Sequence, residues 1–181
     1  MKNIELKVKV PNFHKVIKLL KKLGAKRQHS LEQIDTYFHS PCGRLKTREI
    51  NQQSQELIYY QRPDLRESKI STYKVITLNP AELELTKNIL GRLYQKWVVV
   101  KKNRDLWLFK HTRVHLDNVQ KLGYFIELET VANEIDIRSA RREHNAIIRE
   151  LQLLHFKRIS HSYSDLLAAR SNKIQHNRKA N

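Results

Sequence analysis

Lys2-Asn3-Ile4-Glu5-Leu6-Lys7-Val8-Lys9-Val10 reads as a β-strand, and its two faces set the terms for the rest of the chain. Successive strand side chains point to opposite faces. Ile4, Leu6, Val8 and Val10 therefore line one face, while Asn3, Glu5, Lys7 and Lys9 line the other. An apolar face needs a cover. A face that mixes a carboxylate with ammonium groups ordinarily meets water, unless the other strands repeat it.

They do repeat it. Pro11-Asn12 ends the strand, and Phe13, Val16, Ile17, Leu20 and Leu23 follow at helical spacing before Gly24. Strands are expected at Gln33–Phe38, Arg44–Glu49, Glu56–Arg62, Lys69–Leu78, Gln95–Arg104, Leu106–Lys110, Thr112–Asp117 and Tyr124–Val131. Asn79-Pro80-Ala81-Glu82 is a helix start with Asn as N-cap, Pro at N1 and Glu at N3. A long helix is expected at about Ile135–Leu154, and Ser162-Tyr-Ser-Asp165 is suited to capping a last short one. Cations gather on single strand faces at Lys7, Lys9, Arg44, Lys46, Arg48, Lys102, Arg104 and Arg113, and carboxylates at Glu5, Asp35, Asp117, Glu127 and Glu129. Three like charges along one strand face, as at Arg44, Lys46 and Arg48, repel unless an anion sits among them. The pattern predicts an α+β fold. Closing its strands into a barrel turns the charge into a lumen, with the helices outside.

Composition narrows the partners. The chain has 181 residues, 40% of them hydrophobic, with a mean hydropathy of −0.64. It contains no apolar run near the ~20 residues a membrane span needs and no signal-peptide pattern after Met1, so no membrane partner is expected. The lone cysteine, Cys42, fits a reducing cytoplasmic setting. Lys and Arg number 35 against 18 acidic residues, a net charge of +17, which calls for an anionic partner. Residues 170–181 read as a frayed basic tail beyond a domain at 1–169. A lumen of both signs suits a triphosphate with Mg2+ or Mn2+: cation rows bind the phosphate oxygens and carboxylates hold the hard ion. Glu127 and Glu129 share a face about 7 Å apart by strand rise. The scattered histidines, among them His115 and His144, read as surface or satisfied groups.

Several motifs, taken in order, resemble the CYTH superfamily of triphosphate tunnel metalloenzymes, and within it the class IV adenylate cyclase branch. They are Asn3-Ile-Glu5-Leu-Lys7, Gln33-Ile-Asp-Thr-Tyr37-Phe, Gly43-Arg-Leu-Lys46-Thr-Arg48-Glu and Leu57-Ile-Tyr-Tyr-Gln61-Arg-Pro-Asp64. His115-Leu-Asp117, Leu122-Gly-Tyr-Phe-Ile-Glu127-Leu-Glu129 and Ser162-Tyr-Ser-Asp-Leu-Leu167 complete the series. The resemblance implies a closed eight-stranded antiparallel barrel in which Glu5, Asp117, Glu127 and Glu129 face metal. It implies that Lys7, Lys9, Lys46, Arg48, Lys102, Arg104 and Arg113 hold phosphates. Asn3 stands where the family carries a first Glu, leaving one carboxylate fewer. Tyr37 and Gln61 fall at catalytic positions, Gln61 where triphosphatase members carry a water-activating lysine. The implied reaction is ATP to cyclic AMP and pyrophosphate, with inorganic or thiamine triphosphate hydrolysis as the alternative. A non-enzymatic RNA- or polyphosphate-binding module is the second alternative, and a homodimer is left open.

Overall fold

The computed structural model describes residues 3–61, 72–132 and 136–179. Eight antiparallel strands form one sheet: β1 (Asn3–Val10), β2 (Lys26–Phe38), β3 (Arg44–Ile50), β4 (Ser54–Gln61), β5 (Thr72–Leu78), β6 (Lys96–Phe109), β7 (Thr112–Val119) and β8 (Gly123–Val131). The helices are α1 (His14–Lys22), α2 (Pro80–Tyr94), α3 (Ile137–Glu150) and α4 (Tyr163–Lys179). The strand order is β1-β8-β7-β6-β2-β3-β4-β5, so β1 and β5 are edges.

The expected closed barrel is therefore a curled sheet, open along a seam. The reason lies at β1. Its outer edge already bonds to a later segment: Ile159 N–H donates to Lys7 C=O at 2.8 Å, and Val8 bridges Arg158. Those are the backbone groups that β5 would need to close the ring. Strand parity cannot tell the two arrangements apart, because either one turns the same face inward.

The register gathers the charged positions on the concave side. Glu5 pairs with Glu129, Lys7 with Glu127, Arg113 with Glu129 and His115 with Glu127. Arg104 pairs with Asp117, and Asp35 with Arg48. The apolar parity faces the other way. Leu6, Val8, Val10, Val114, Leu116, Ile126 and Leu128 pack against Val16 and Leu20 of α1 and Ile147 and Ile148 of α3. A second cluster closes one end of the trough, where Tyr163 and Leu167 of α4 pack on Tyr37, Val100, Val119 and Phe125.

Local chemistry sets several boundaries. Asn79 Oδ1 accepts from Glu82 N–H and Glu82 Oε2 from Asn79 N–H, the capping box the sequence announces, worth about 1 kcal/mol. Ser162 and Asp165 make the same exchange at the start of α4. The long helix expected at Ile135–Leu154 stops at Glu150, because Gln152 turns left-handed at φ 55°. The two strands expected at Gln95–Arg104 and Leu106–Lys110 are one, β6, and β2 begins at Lys26, earlier than its alternation indicates. The stretch expected as a tail continues α4 to Lys179, and the Arg170 guanidinium donates to Lys121 C=O. Arg62 and the start of the strand expected at Lys69 lie outside the described residues.

Beneath α3 runs a buried polar chain. Thr130 Oγ1 meets His144 Nδ1 at 2.9 Å and Thr112 Oγ1 at 2.8 Å, and Thr112 donates to Glu143 at 2.7 Å. Burial pushes the His144 imidazole down to about 4.

Candidate active site

The concave face encloses a cavity of about 860 Å3. Its cations are not placed singly. Two buried aspartates each grip a Lys-x-Arg pair on the neighbouring strand. Asp35 accepts from Lys46 Nζ at 2.7 Å and from Arg48 Nε and a terminal nitrogen at 2.7 and 2.9 Å. Asp117 accepts from Arg104 twice at 2.6 Å, from Lys102 at 3.2 Å and from the Tyr163 hydroxyl at 3.0 Å. An aromatic ring backs each lysine. Lys46 Nζ lies 5.2 Å from the Tyr37 ring centre, and Lys102 Nζ lies 5.2 Å from that of Tyr163. Strand spacing accounts for the arrangement: in Lys46-Thr-Arg48 and Lys102-Asn-Arg104 the two cations share a face, the arginine directly opposite the carboxylate and the lysine diagonal to it.

The electrostatics follow. Burial opposes the Asp35 anion, yet Lys46 and Arg48 hold its carboxyl far below the ordinary carboxylate range. Asp117 is likewise drawn down to about 2 by Arg104 and Lys102 against its own burial. Lys46 pays for the crowding: burial lowers its amine to about 7, with Arg48 adding repulsion and Asp35 pulling back. In that trio the carboxylate stays anionic, Arg48 stays cationic, and Lys46 holds its proton most weakly.

The other carboxylates stand on β8 and β1. Glu127 takes Lys7 Nζ at 2.9 Å and Arg104 at 2.7 Å, with His115 Nδ1 at 3.9 Å. Burial would raise its pKa, but Lys7, His115 and Arg104 bring it well below the usual value. Glu129 accepts from Asn3 Nδ2 at 2.5 Å and lies 3.2 Å from Arg113 Nε. Glu5 lines the same wall.

The sequence-derived positions sort as follows. Glu5, Lys7, Tyr37, Lys46, Arg48, Lys102, Arg104, Arg113, Glu127 and Glu129 all line the cavity. Asp117 lies behind the lining, fully buried, its oxygens taken up by four donors. Lys9 has the right parity but is exposed beyond the end of the trough, 5.7 Å from the Phe125 ring centre. Gln61 is corrected outright. Its neighbour Tyr60 takes the concave parity, so Gln61 lies exposed on the outer face, bonded to the Tyr59 hydroxyl at 3.1 Å. The lysine that meets Tyr37 is Lys46, at 3.4 Å from the hydroxyl. Several lining residues escaped sequence reasoning, among them Glu56, Tyr60, His115, Arg158 and Tyr163. His115 is betrayed by its parity with Arg113 and Asp117. Tyr163 reads from sequence only as part of a helix cap.

Among the described residues no three His, Cys, Asp or Glu side chains form a ready metal cluster. The donor set still fits a hard ion that arrives on phosphate, since Mg2+ ordinarily takes only one or two carboxylates alongside phosphate oxygens. Glu127 and Glu129 supply those. Asn3 Oδ1, beside Glu129, is buried with no hydrogen-bond partner among the described residues, a neutral oxygen suited to the same role.

The site is an antiparallel sheet curled around paired cations and carboxylates. The family model of the CYTH domain matches residues 1–163, and the chain belongs to that family. A Methanocaldococcus jannaschii protein provisionally named an adenylate cyclase is 28% identical over 174 residues, 92% of this chain and 98% of its own. A solved structure from Pyrococcus horikoshii superposes with a TM-score of 0.76 at 26% identity, covering 91% of this chain and 98% of that one. A Hippeastrum adenylyl cyclase homologue, described as having a dominant triphosphatase activity, shares the fold at TM-score 0.65 and 12% identity, covering 95% and 96%.

Proposed function

We propose that the chain is a metal-dependent enzyme that binds a nucleoside triphosphate in the trough and converts ATP to cyclic AMP and pyrophosphate. The observation that carries this reading is the pair of Asp-anchored Lys-x-Arg units, Lys46/Arg48 and Lys102/Arg104, lining the same cavity as Glu127 and Glu129. A carboxylate behind each pair fixes its direction before the ligand arrives, which is how electrostatic stabilisation acquires catalytic force. Lys7, Lys46, Arg48, Lys102, Arg104 and Arg113 hold the phosphate oxygens. Mg2+ or Mn2+, held by Glu127, Glu129 and Glu5 with Asn3 Oδ1 adjacent, supplies Lewis-acid polarisation of those oxygens. In cyclisation the ribose 3′-oxygen attacks the α-phosphorus, the bond to the bridging oxygen breaks, pyrophosphate leaves and the hydroxyl proton is released. The chain's own part is to orient both ends for in-line displacement.

One observation favours a second reading, hydrolysis of the terminal phosphate. The Lys46 amine, lowered to about 7, lies beside Tyr37 and is suited to accepting a proton from water. The name of the M. jannaschii relative supports cyclisation, and the dominant triphosphatase activity described for the Hippeastrum protein supports hydrolysis, the latter through the fold alone. Product analysis with ATP and Mn2+ separates them: cyclic AMP and pyrophosphate in equal amounts, or ADP and phosphate. Glu127→Gln and Glu129→Gln should each abolish metal-dependent turnover while the cooperative melt persists. Undiminished turnover in both variants would overturn the metal assignment.

A further inference from the structure

The charge of the chain and the charge of its cavity do not match. Among the described residues seven Lys or Arg line the trough against five Asp or Glu, with Asp117 buried behind them. The whole chain carries +17, so this lining accounts for little of the surplus. It is also concentrated. No acidic residue occurs between Glu5 and Glu32, and Lys15, Lys18, Lys21 and Lys22 of α1 are all exposed. Among the described residues none of these four makes an ion pair. Lys15, Lys18 and Lys22 fall at i, i+3 and i+7, a stripe about 10 Å long by helical rise. Like charges at such spacing destabilise a helix until an anion lies along them.

The stripe leads to a second feature. Phe13, just before α1, meets Tyr124 edge-on at 5.1 Å between ring centres. Tyr124 is 38% exposed and forms part of a second cavity of about 510 Å3 at the turn joining β7 and β8, which shares Gln33 and Lys102 with the lining of the trough. Lys101, Lys121, Asn103, Asn118 and Gln120 also line it, and Glu32 is the only carboxylate in that lining. Cations for phosphates, amides for base edges and an available ring are the parts list of a single-strand site. A lipid surface fits poorly, because the apolar residues of α1 face inward: Val16 and Leu20 are buried, and Ile17, Leu19 and Leu23 pack on the core. Duplex nucleic acid would leave the amides and Tyr124 unused, since stacked bases are out of their reach.

We propose that the outer stripe of α1 and the cleft at Tyr124 form a binding surface for single-stranded nucleic acid, which meets the trough at Gln33 and Lys102. Phosphates lie along Lys15, Lys18 and Lys22, and a base rests on Tyr124 with its edge toward Asn103 and Asn118.

Fluorescence anisotropy of the full chain with a labelled single-stranded oligouridylate, across a salt series, tests this. Lys18→Ala/Lys22→Ala should reduce the slope of log affinity against log salt by about 1.4, at about 0.7 per single-strand phosphate released. Tyr124→Leu keeps an apolar contact for Phe13 and should weaken binding about tenfold through lost stacking. If Tyr124→Leu melts early, Lys101→Ala/Lys121→Ala reads the same cleft by its salt slope. Arg113→Ala, inside the trough, should leave oligonucleotide binding unchanged. An unaltered slope in the α1 double variant overturns the proposal. So does loss of binding in Arg113→Ala, which would put the strand in the trough, or binding to phosphatidylserine vesicles without binding to RNA.

Discussion

Replacing Asp117 by Asn removes the negative charge beneath Lys102 and Arg104 while keeping the shape of the side chain. In the native protein that carboxylate is fully buried and receives two bonds from Arg104, one from Lys102 and one from Tyr163. An amide can still accept from one of these donors, but its own NH2 then faces the others. Breaking a buried pair by removing one partner costs about 3–5 kcal/mol. Arg104 keeps its bond to Glu127 at 2.7 Å, so the lower end applies, about 3 kcal/mol. For a chain of this size that is a fall in Tm of roughly 6–12 °C. Unlike a core cavity, the damage should be repairable by an anion. Tripolyphosphate entering the trough neutralises the two cations, so its stabilising effect should be larger in Asp117→Asn than in the parent chain. Circular dichroism melts with and without tripolyphosphate read both quantities. A drop of less than about 2 °C would refute the anchoring role, since 1 kcal/mol already moves Tm by about 2–4 °C at this size. A large drop that tripolyphosphate repairs no better than it stabilises the parent would refute the electrostatic account.

Lys46 makes triphosphate binding pH-dependent. Its amine is lowered to about 7, so above that pH it must take up a proton to pair with phosphate, and affinity should fall by up to about tenfold per pH unit. Calorimetry near pH ~8.5 in two buffers of different ionisation heat should show close to one proton taken up; pH-independent binding would refute it. His144 sets the acid limit. Its pKa falls from the ordinary 6.5 to about 4 on folding, so the unfolded chain binds the extra proton between those values and stability is lost as pH drops through that window. The loss should reach about 3 kcal/mol, and denaturant midpoints that stay flat from pH ~7 to ~4 would contradict it. Gln61→Lys should leave hydrolysis of ATP and of tripolyphosphate unchanged, because the new amine would emerge on the outer face; a gain in turnover would show that the side chain reaches the trough.

Much of this was legible because a strand exposes its two faces by strict alternation. Glu5 with Lys7, Lys46 with Arg48, Lys102 with Arg104, and Glu127 with Glu129 needed only parity to be placed on one surface. The same parity should have excluded Gln61. Choosing it set a family position above the register of β4, in which Tyr60 faces inward. What alternation cannot carry is the third dimension. Nothing in Lys-Asn-Ile-Glu-Leu-Lys foretells that Arg158 and Ile159 will occupy the β1 edge, since that contact joins residues about 150 positions apart. Nor does it distinguish Asp117 beneath the floor from Glu127 upon it, because depth depends on where Tyr163 of a distant helix comes to rest. His115 lay in plain view, alternating with Arg113 and Asp117, and only the general expectation that histidines are bystanders hid it.

The seam between β1 and β5 bears on how the trough can be loaded. A sealed cylinder of backbone must be threaded, so a bulky group at either end of a ligand bars entry. A gutter is filled from above. Here one lip is the segment carrying Arg158 and Ile159, and the other is β5, where Val75 is 52% exposed beside the cavity it lines. A phosphate chain laid in along that gap brings its middle and its ends to the cations together, and what hangs from its ends need not pass through any ring.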